Sequence, residues 1–202
     1  MKKSFRLLLL CLLPLPLSGC FTALVGAGAF GVMSATDRRS TGAQADDQVM
    51  EVRIQNTALT HLRSNNTTQG FEPKLSVVSF NRQVLLMGLV ASEADKAFVE
   101  RVARAQPNAE KIYNYIQVAT SARGFGEVSN DSWVTSTVRT TLLGTKGVSA
   151  NHVKVVTYNG VTYVMGILTP EEQALVSTTV STTAGVQQVV TLYETFVPSN
   201  VR

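Results

Sequence analysis

Residues that carry out chemistry are scarce in this sequence. Its 202 residues include two histidines, His61 and His152, and two cysteines, Cys11 and Cys20. No His-x-x-x-His pair, paired-carboxylate arrangement or serine elbow accompanies them, so the chain reads as a non-enzyme with no metal site and no cofactor. Two cysteines so close to the start do not make a disulfide framework. Excess charge is missing as well. Beyond residue 19 there are 15 basic and 14 acidic residues, and the whole-chain pI of 9.2 owes most to Lys2, Lys3 and Arg6. The clustered Lys and Arg that nucleic-acid binding requires are therefore absent, and no nucleic-acid partner is expected. The first apolar run, Leu7 to Leu17, is interrupted by Pro14 and Pro16. It falls short of the roughly 20 residues a helix needs to cross about 30 Å of hydrocarbon. What remains, 45% hydrophobic and 16% charged, suits one domain or two small ones.

The N-terminus assigns a compartment. A positive stretch, a short apolar stretch and the small residues Ser18-Gly19 make residues 1–19 a signal peptide. Leu17-Ser18-Gly19-Cys20 resembles the bacterial lipobox, which implies diacylation of the Cys20 thiol and a lipid-anchored mature chain beginning there. Phe21 stands where an Asp would signal inner-membrane retention, which by analogy implies sorting to the outer membrane, facing the periplasm. Gly26 to Gly31 matches G-x-G-x-x-G, but no strand leads in and no helix leads out, so it is read as part of a flexible tether over residues 20–45 rather than a nucleotide site.

An internal repeat organises the rest. Asp47 to Leu59 aligns with Asp131 to Leu143 at an offset of 84, and Asn81 to Gly88 with Asn159 to Gly166 at an offset of 78. The slip of six is placed in the polar stretch Arg63 to Phe71. In copy two, Asn130 or Asp131 is read as a helix cap before the apolar stripe Val134, Val138 and Leu142; Met50, Ile54 and Ala58 hold those places in copy one. Strands follow at Leu75–Phe80 and Gln83–Val90, and at Val153–Tyr158 with its partner across Asn159-Gly160, the strongest short hairpin signal. The turn Asn81-Arg82 is weaker, because Arg has no special tolerance for positive φ. Thr169-Pro170-Glu171-Glu172 opens a second helix with a capping box, as Ser92 and Asp95 do in copy one. The closing strands are Lys111–Ala119 and Gln188–Val197. A helix joining the second strand to the third lets that pair run parallel. The expectation is an α+β chain with two domains, 46–119 and 129–197, joined by a linker over 120–128. Each would be a small three-stranded mixed sheet packed against two helices in the order αββαβ.

These units resemble BON domains. The resemblance rests on the helical D-x-x-[apolar] pattern, the Leu86-Met87-Gly88 and Val164-Met165-Gly166 strand ends, and the strings Ala35 to Ser40, Glu51-Val52-Arg53 and Ser129 to Trp133. Behind a lipobox, the arrangement is similar to the dual-BON-domain outer-membrane lipoproteins of Gram-negative bacteria, the DolP/YraP family. That resemblance implies binding of anionic phospholipid, chiefly phosphatidylglycerol, through the second BON domain, support of outer-membrane integrity, and enrichment at the division site. The alternative is an adaptor whose partners are outer-membrane assembly factors or regulators of cell-wall enzymes.

The residues bear on that transfer. From Ser132 to Pro170 the chain has no acidic residue but contains Arg139, Lys146 and Lys154. The lipid-binding residues expected on the first helix of copy two are Trp133, placed to sit at headgroup level, Leu143 as second apolar contact, Arg139, and Thr137 and Thr140 as hydroxyl donors to phosphate. Val49 replaces Trp133 in copy one, which reads as the supporting domain.

Overall fold

The computed structural model describes residues 37–119, 121 and 124–198. The expected signal peptide, the expected lipobox with Cys20 and the glycine run lie outside the described residues. Copy one consists of α1 (Thr41–Asn65), β1 (Lys74–Phe80), β2 (Gln83–Val90), α2 (Glu93–Arg104) and β3 (Lys111–Val118). Copy two repeats the order with α3 (Phe125–Gly144), a single 3-10 turn, β4 (Val153–Tyr158), β5 (Val161–Leu168), α4 (Pro170–Ser181) and β6 (Gln188–Thr195). In each sheet the second strand is central, antiparallel to the first and parallel to the third. The expected α+β architecture of two mixed three-stranded sheets with two helices each is the one observed.

Strand alternation builds the layers. Val84, Leu86 and Val90 of β2 point toward α1 and α2, where Met50, Ile54, Ala58 and Leu62 complete a core. Val164 and Leu168 of β5 meet Val134, Val138 and Leu142 of α3 in the same way. The alternate residues, Leu85 and Met87 of β2 and Tyr163, Met165 and Ile167 of β5, face each other across a third core that joins the two sheets. Four layers result: helices, sheet, sheet, helices. Both central strands are thus buried on both faces, which is why they read as continuous apolar runs rather than alternating ones. Gly88 and Gly166 occupy crowded positions in them. A Cβ on Gly88 would strike the Lys74 carbonyl oxygen, and one on Gly166 would lie 2.9 Å from that of His152.

Three expectations are corrected. The tether does not extend to residue 45, because Ser40 caps α1 by accepting the Ala43 N–H at 3.1 Å, and the helix begins at Thr41. Asn130 and Asp131 do not cap α3, which starts at Phe125 with Glu127 accepting the Gly124 N–H at 2.6 Å, so residues 125–128 are helix rather than linker. The six-residue slip lies mostly in a helix. α3 stops at Gly144, the counterpart of Thr60, whereas α1 runs on to Asn65, its extra turn held by buried Leu62 and by His61 stacked on Phe98 at 3.7 Å. The hairpin expected across Asn81-Arg82 forms, and its turn takes positive φ at both residues (50° and 63°), as does Asn159-Gly160 (51° and 76°). Asp47 stabilises the strained turn by accepting the Asn81 and Arg82 N–H groups at 2.8 and 2.7 Å.

Candidate functional site

The helical Asp of each repeat is a hairpin lock. Asp47 and Asp131 are both buried, and Asp131 accepts the Asn159 and Gly160 N–H groups at 2.6 and 3.0 Å, as Asp47 does for its own turn. A carboxylate satisfying two turn donors holds the hairpin against the helix and fixes which helical face looks outward. The exposed edges of β1 and β4 are also covered from these helices. Glu51 accepts the Ser79 N–H at 2.6 Å and Gln55 donates to the Leu75 carbonyl at 3.0 Å. In copy two Thr135 accepts the Thr157 N–H at 2.8 Å and Arg139 donates to the Val155 carbonyl at 2.8 Å. Arg139 therefore carries a structural role, at the place of Gln55, besides its charge.

With Val134, Val138 and Leu142 buried, α3 turns outward a face of Trp133, Ser136, Thr140 and Leu143. Trp133 is 53% exposed and Leu143 is 72% exposed. The hydroxyls of Thr137 and Thr140 donate to the carbonyls of Trp133 and Ser136 at 2.9 and 3.0 Å. Their protons are thus committed to the helix, and what they offer outward is acceptor oxygen, not the donors expected from sequence. Trp133 and Leu143 stand ten residues apart, about 15 Å along the helix at 1.5 Å per residue. Leu143 instead joins Arg139, Leu142 and Lys154 around an open cleft of about 320 Å³ between α3 and β4. Lys154 is engaged across the domain boundary, donating to Glu51 at 2.5 Å and to the Ser79 carbonyl at 2.9 Å.

Sequence reasoning missed the segment just before α1. Arg39 bonds Asp37 and Asp47 and lies 4.2 Å over the Phe80 ring, all in copy one. Its neighbour Arg38 crosses to copy two, donating to the Ile167 carbonyl at 2.8 Å and to both oxygens of Glu172, and covers Phe196 at 4.1 Å. The pair clasps the two domains at the point where the chain enters them. Burial by itself raises the Glu172 carboxyl, but the Arg38 hydrogen bonds, the Thr169 N–H and the charges of Arg38 and His152 outweigh it and hold the group below its ordinary value. The signal was present as the adjacent Arg38-Arg39, whose two aims are not legible without the partners. Two asparagines repeat the crossing: Asn81 donates to Glu194 at 3.0 Å, and Asn159 to Gln117 at 2.9 Å.

Among the described residues no helix is long and apolar enough to cross a membrane, and no three His, Cys, Asp or Glu side chains gather as a metal site. The architecture defines a duplicated αββαβ module with one unusual helix surface. Residues 51–120 and 130–192 each match the BON domain family, so the chain belongs to it, and within it to the dual-BON-domain outer-membrane lipoproteins of the DolP/YraP type. It is similar to the outer membrane lipoprotein DolP of Haemophilus influenzae, with 29% identity over 178 residues, covering 88% of this chain and 89% of that one. The 21 kDa hemolysin of Actinobacillus pleuropneumoniae is 30% identical over 154 residues, 76% of each chain. A solved structure of CdsD, a structural protein of the type III secretion system of Chlamydia trachomatis, aligns with 71% of this chain and 93% of its own at 13% identity and a TM-score of 0.30.

Proposed function

We propose that this protein is a non-enzymatic outer-membrane lipoprotein, anchored through Cys20 and facing the periplasm, whose second BON domain binds anionic phospholipid through α3. The observation that carries the reading is the outward face of α3: an exposed Trp133 and Leu143 on a 39-residue stretch free of acidic residues, with Arg139 and Lys146 exposed on it. Indole prefers the headgroup layer, where its ring is shielded and its N–H stays wet. Burying the exposed part of each apolar side chain contributes about 1–2 kcal/mol, roughly tenfold in affinity. The basic residues favour an anionic lipid such as phosphatidylglycerol, and they act locally, because the mature chain is nearly neutral. Support of outer-membrane integrity and action at the division site, which the family resemblance implies, complete the reading.

The test is flotation of a chain starting at Thr36, without Cys20, on zwitterionic vesicles and on vesicles containing phosphatidylglycerol. Binding to the second alone, abolished by Trp133→Glu with the circular-dichroism spectrum unchanged, is the expected result. A folded chain that floats with neither vesicle would leave Cys20 as the membrane contact and overturn the α3 reading.

A further inference from the structure

The loop between the second helix and the last strand returns to the first helix in both copies, but by different chemistry. In copy one Asn108 donates to Asp46 of α1 at 2.6 Å. The corresponding residue of copy two is Gly185, at an offset of 77 fixed by the pairing of β3 and β6 with their central strands. There the contact is the indole of Trp133. A Cβ on Gly185 would overlap Cζ3 of Trp133, and would stand 3.0 Å from Val134 Cγ2 and 3.3 Å from Trp133 Cε3. Gly185 also has a φ of +87°, which L side chains rarely adopt. The bare backbone of this residue is a shelf against which the Cε3–Cζ3 edge of the ring rests.

That contact sets the direction of the exposed ring. The edge bearing Nε1 lies opposite Cε3–Cζ3, so the N–H is not on the part of the ring that meets Gly185. Among the described residues no hydrogen-bond partner meets Nε1, while the ring as a whole remains half exposed. Resting on the proposed membrane reading, we infer that Gly185 is a positioning residue for membrane contact. It holds Trp133 as a rigid anchor with its N–H presented to acceptor oxygens of the phospholipid headgroup layer. An anchor already held in one rotamer loses less conformational entropy when it binds, which is the advantage lost if the shelf is filled.

The experiment exploits Trp133 being the single tryptophan, so intrinsic fluorescence reports on it alone. The chain from residue 20 with Cys20→Ser is compared with the same chain carrying Gly185→Ala, Gly70→Ala, Trp133→Ala, and Trp133→Ala with Gly185→Ala. Gly70 has a φ of +75° and nothing within 4 Å of an added Cβ, so it imposes similar backbone strain without touching the indole. Without lipid, Gly185→Ala is expected to lower the Trp133 anisotropy and increase acrylamide quenching, whereas Gly70→Ala leaves both unchanged. On vesicles containing phosphatidylglycerol, Gly185→Ala weakens binding about three- to tenfold when Trp133 is present and has no effect when residue 133 is Ala. An equal loss in both backgrounds would make Gly185 merely structural and overturn the inference, as would unchanged fluorescence. If the parent chain binds no vesicle while Gly185→Ala still loosens the ring, the membrane role falls with the reading it rests on, and the fluorescence shows that the shelf itself is not at fault.

Discussion

The two BON domains share one framework and differ where each first helix meets solvent. Asp47 and Asp131 each accept both N–H groups of their hairpin turn, and the cores beneath α1 and α3 are built from equivalent positions. On the outer surface Glu51, Arg53 and Gln55 of α1 become Thr135, Thr137 and Arg139 of α3, and Val49 becomes Trp133. Leu59 packs partly on its core, while its counterpart Leu143 is 72% exposed. The two copies share the residues that hold the fold and differ on the outer surface of the first helix. Copy one supplies the partner face for copy two, because each sheet would otherwise expose the apolar side that now forms the shared core.

The largest effects should come from breaking what the copies have in common. Asp47→Ala leaves the Ser79 hydroxyl and two turn N–H groups without their acceptor and deprives Arg39 of a partner; a loss of about 3–5 kcal/mol in urea unfolding is expected. Asp131→Ala should cost about 2–3 kcal/mol, since the Asn-Gly turn it supports adopts positive φ with less strain than Asn-Arg. Equal losses would show that turn strain does not distinguish the copies.

Next is the seam. Met87→Ala in the shared core should cost about 2–5 kcal/mol, and the two domains should then unfold in separate steps rather than one. Burial, with the neighbouring Tyr115 and Tyr158, pushes the Tyr163 hydroxyl up to about 12. The unfolded chain ionises near pH 10, so the folded state loses stability as pH rises from about 10 toward 12. A tyrosine absorbance titration that finds every tyrosine ionised together near pH 10 before unfolding would contradict a sealed seam.

The smallest expected effect is at the clasp. The folded Glu172 carboxyl titrates below its unfolded value of 4.5, so its stabilisation is complete above that pH and is lost as pH falls through the lowered folded value. Arg38→Gln should remove about 1 kcal/mol at neutral pH, and the gap from the parent chain should close in acid when urea midpoints are compared from pH 7 to pH 3.

Much of this fold was legible because strands and turns carry local signals: alternating Val, the Asn-Gly turn, the Thr-Pro-Glu-Glu start of α4. The helix starts were misjudged because an Asp suits an N-cap and a hairpin lock equally well, and only the distant turn it meets decides between them. The seam was hidden for a related reason. A continuous apolar strand such as Gln83–Val90 announces burial on both faces but not what covers the second one. Of the candidate site, Trp133 and Leu143 lie exposed as their place on the α3 wheel suggests, whereas Arg139, Thr137 and Thr140 turn out to be hydrogen-bonded to the protein's own backbone. Gly185, more than 50 residues from Trp133 in sequence, gave no local signal of meeting it.

The lipid-facing element we propose is α3, and not its twin α1. The most direct measurement is paramagnetic broadening of backbone amide signals in the chain starting at Thr36, bound to micelles containing phosphatidylglycerol and doped with a nitroxide lipid. Broadening concentrated on α3 around Trp133 to Gly144 and on the Gly185 loop, with α1 unaffected, is the predicted result. Equal broadening along α1, or none on α3 in a chain shown to be micelle-bound, would contradict it.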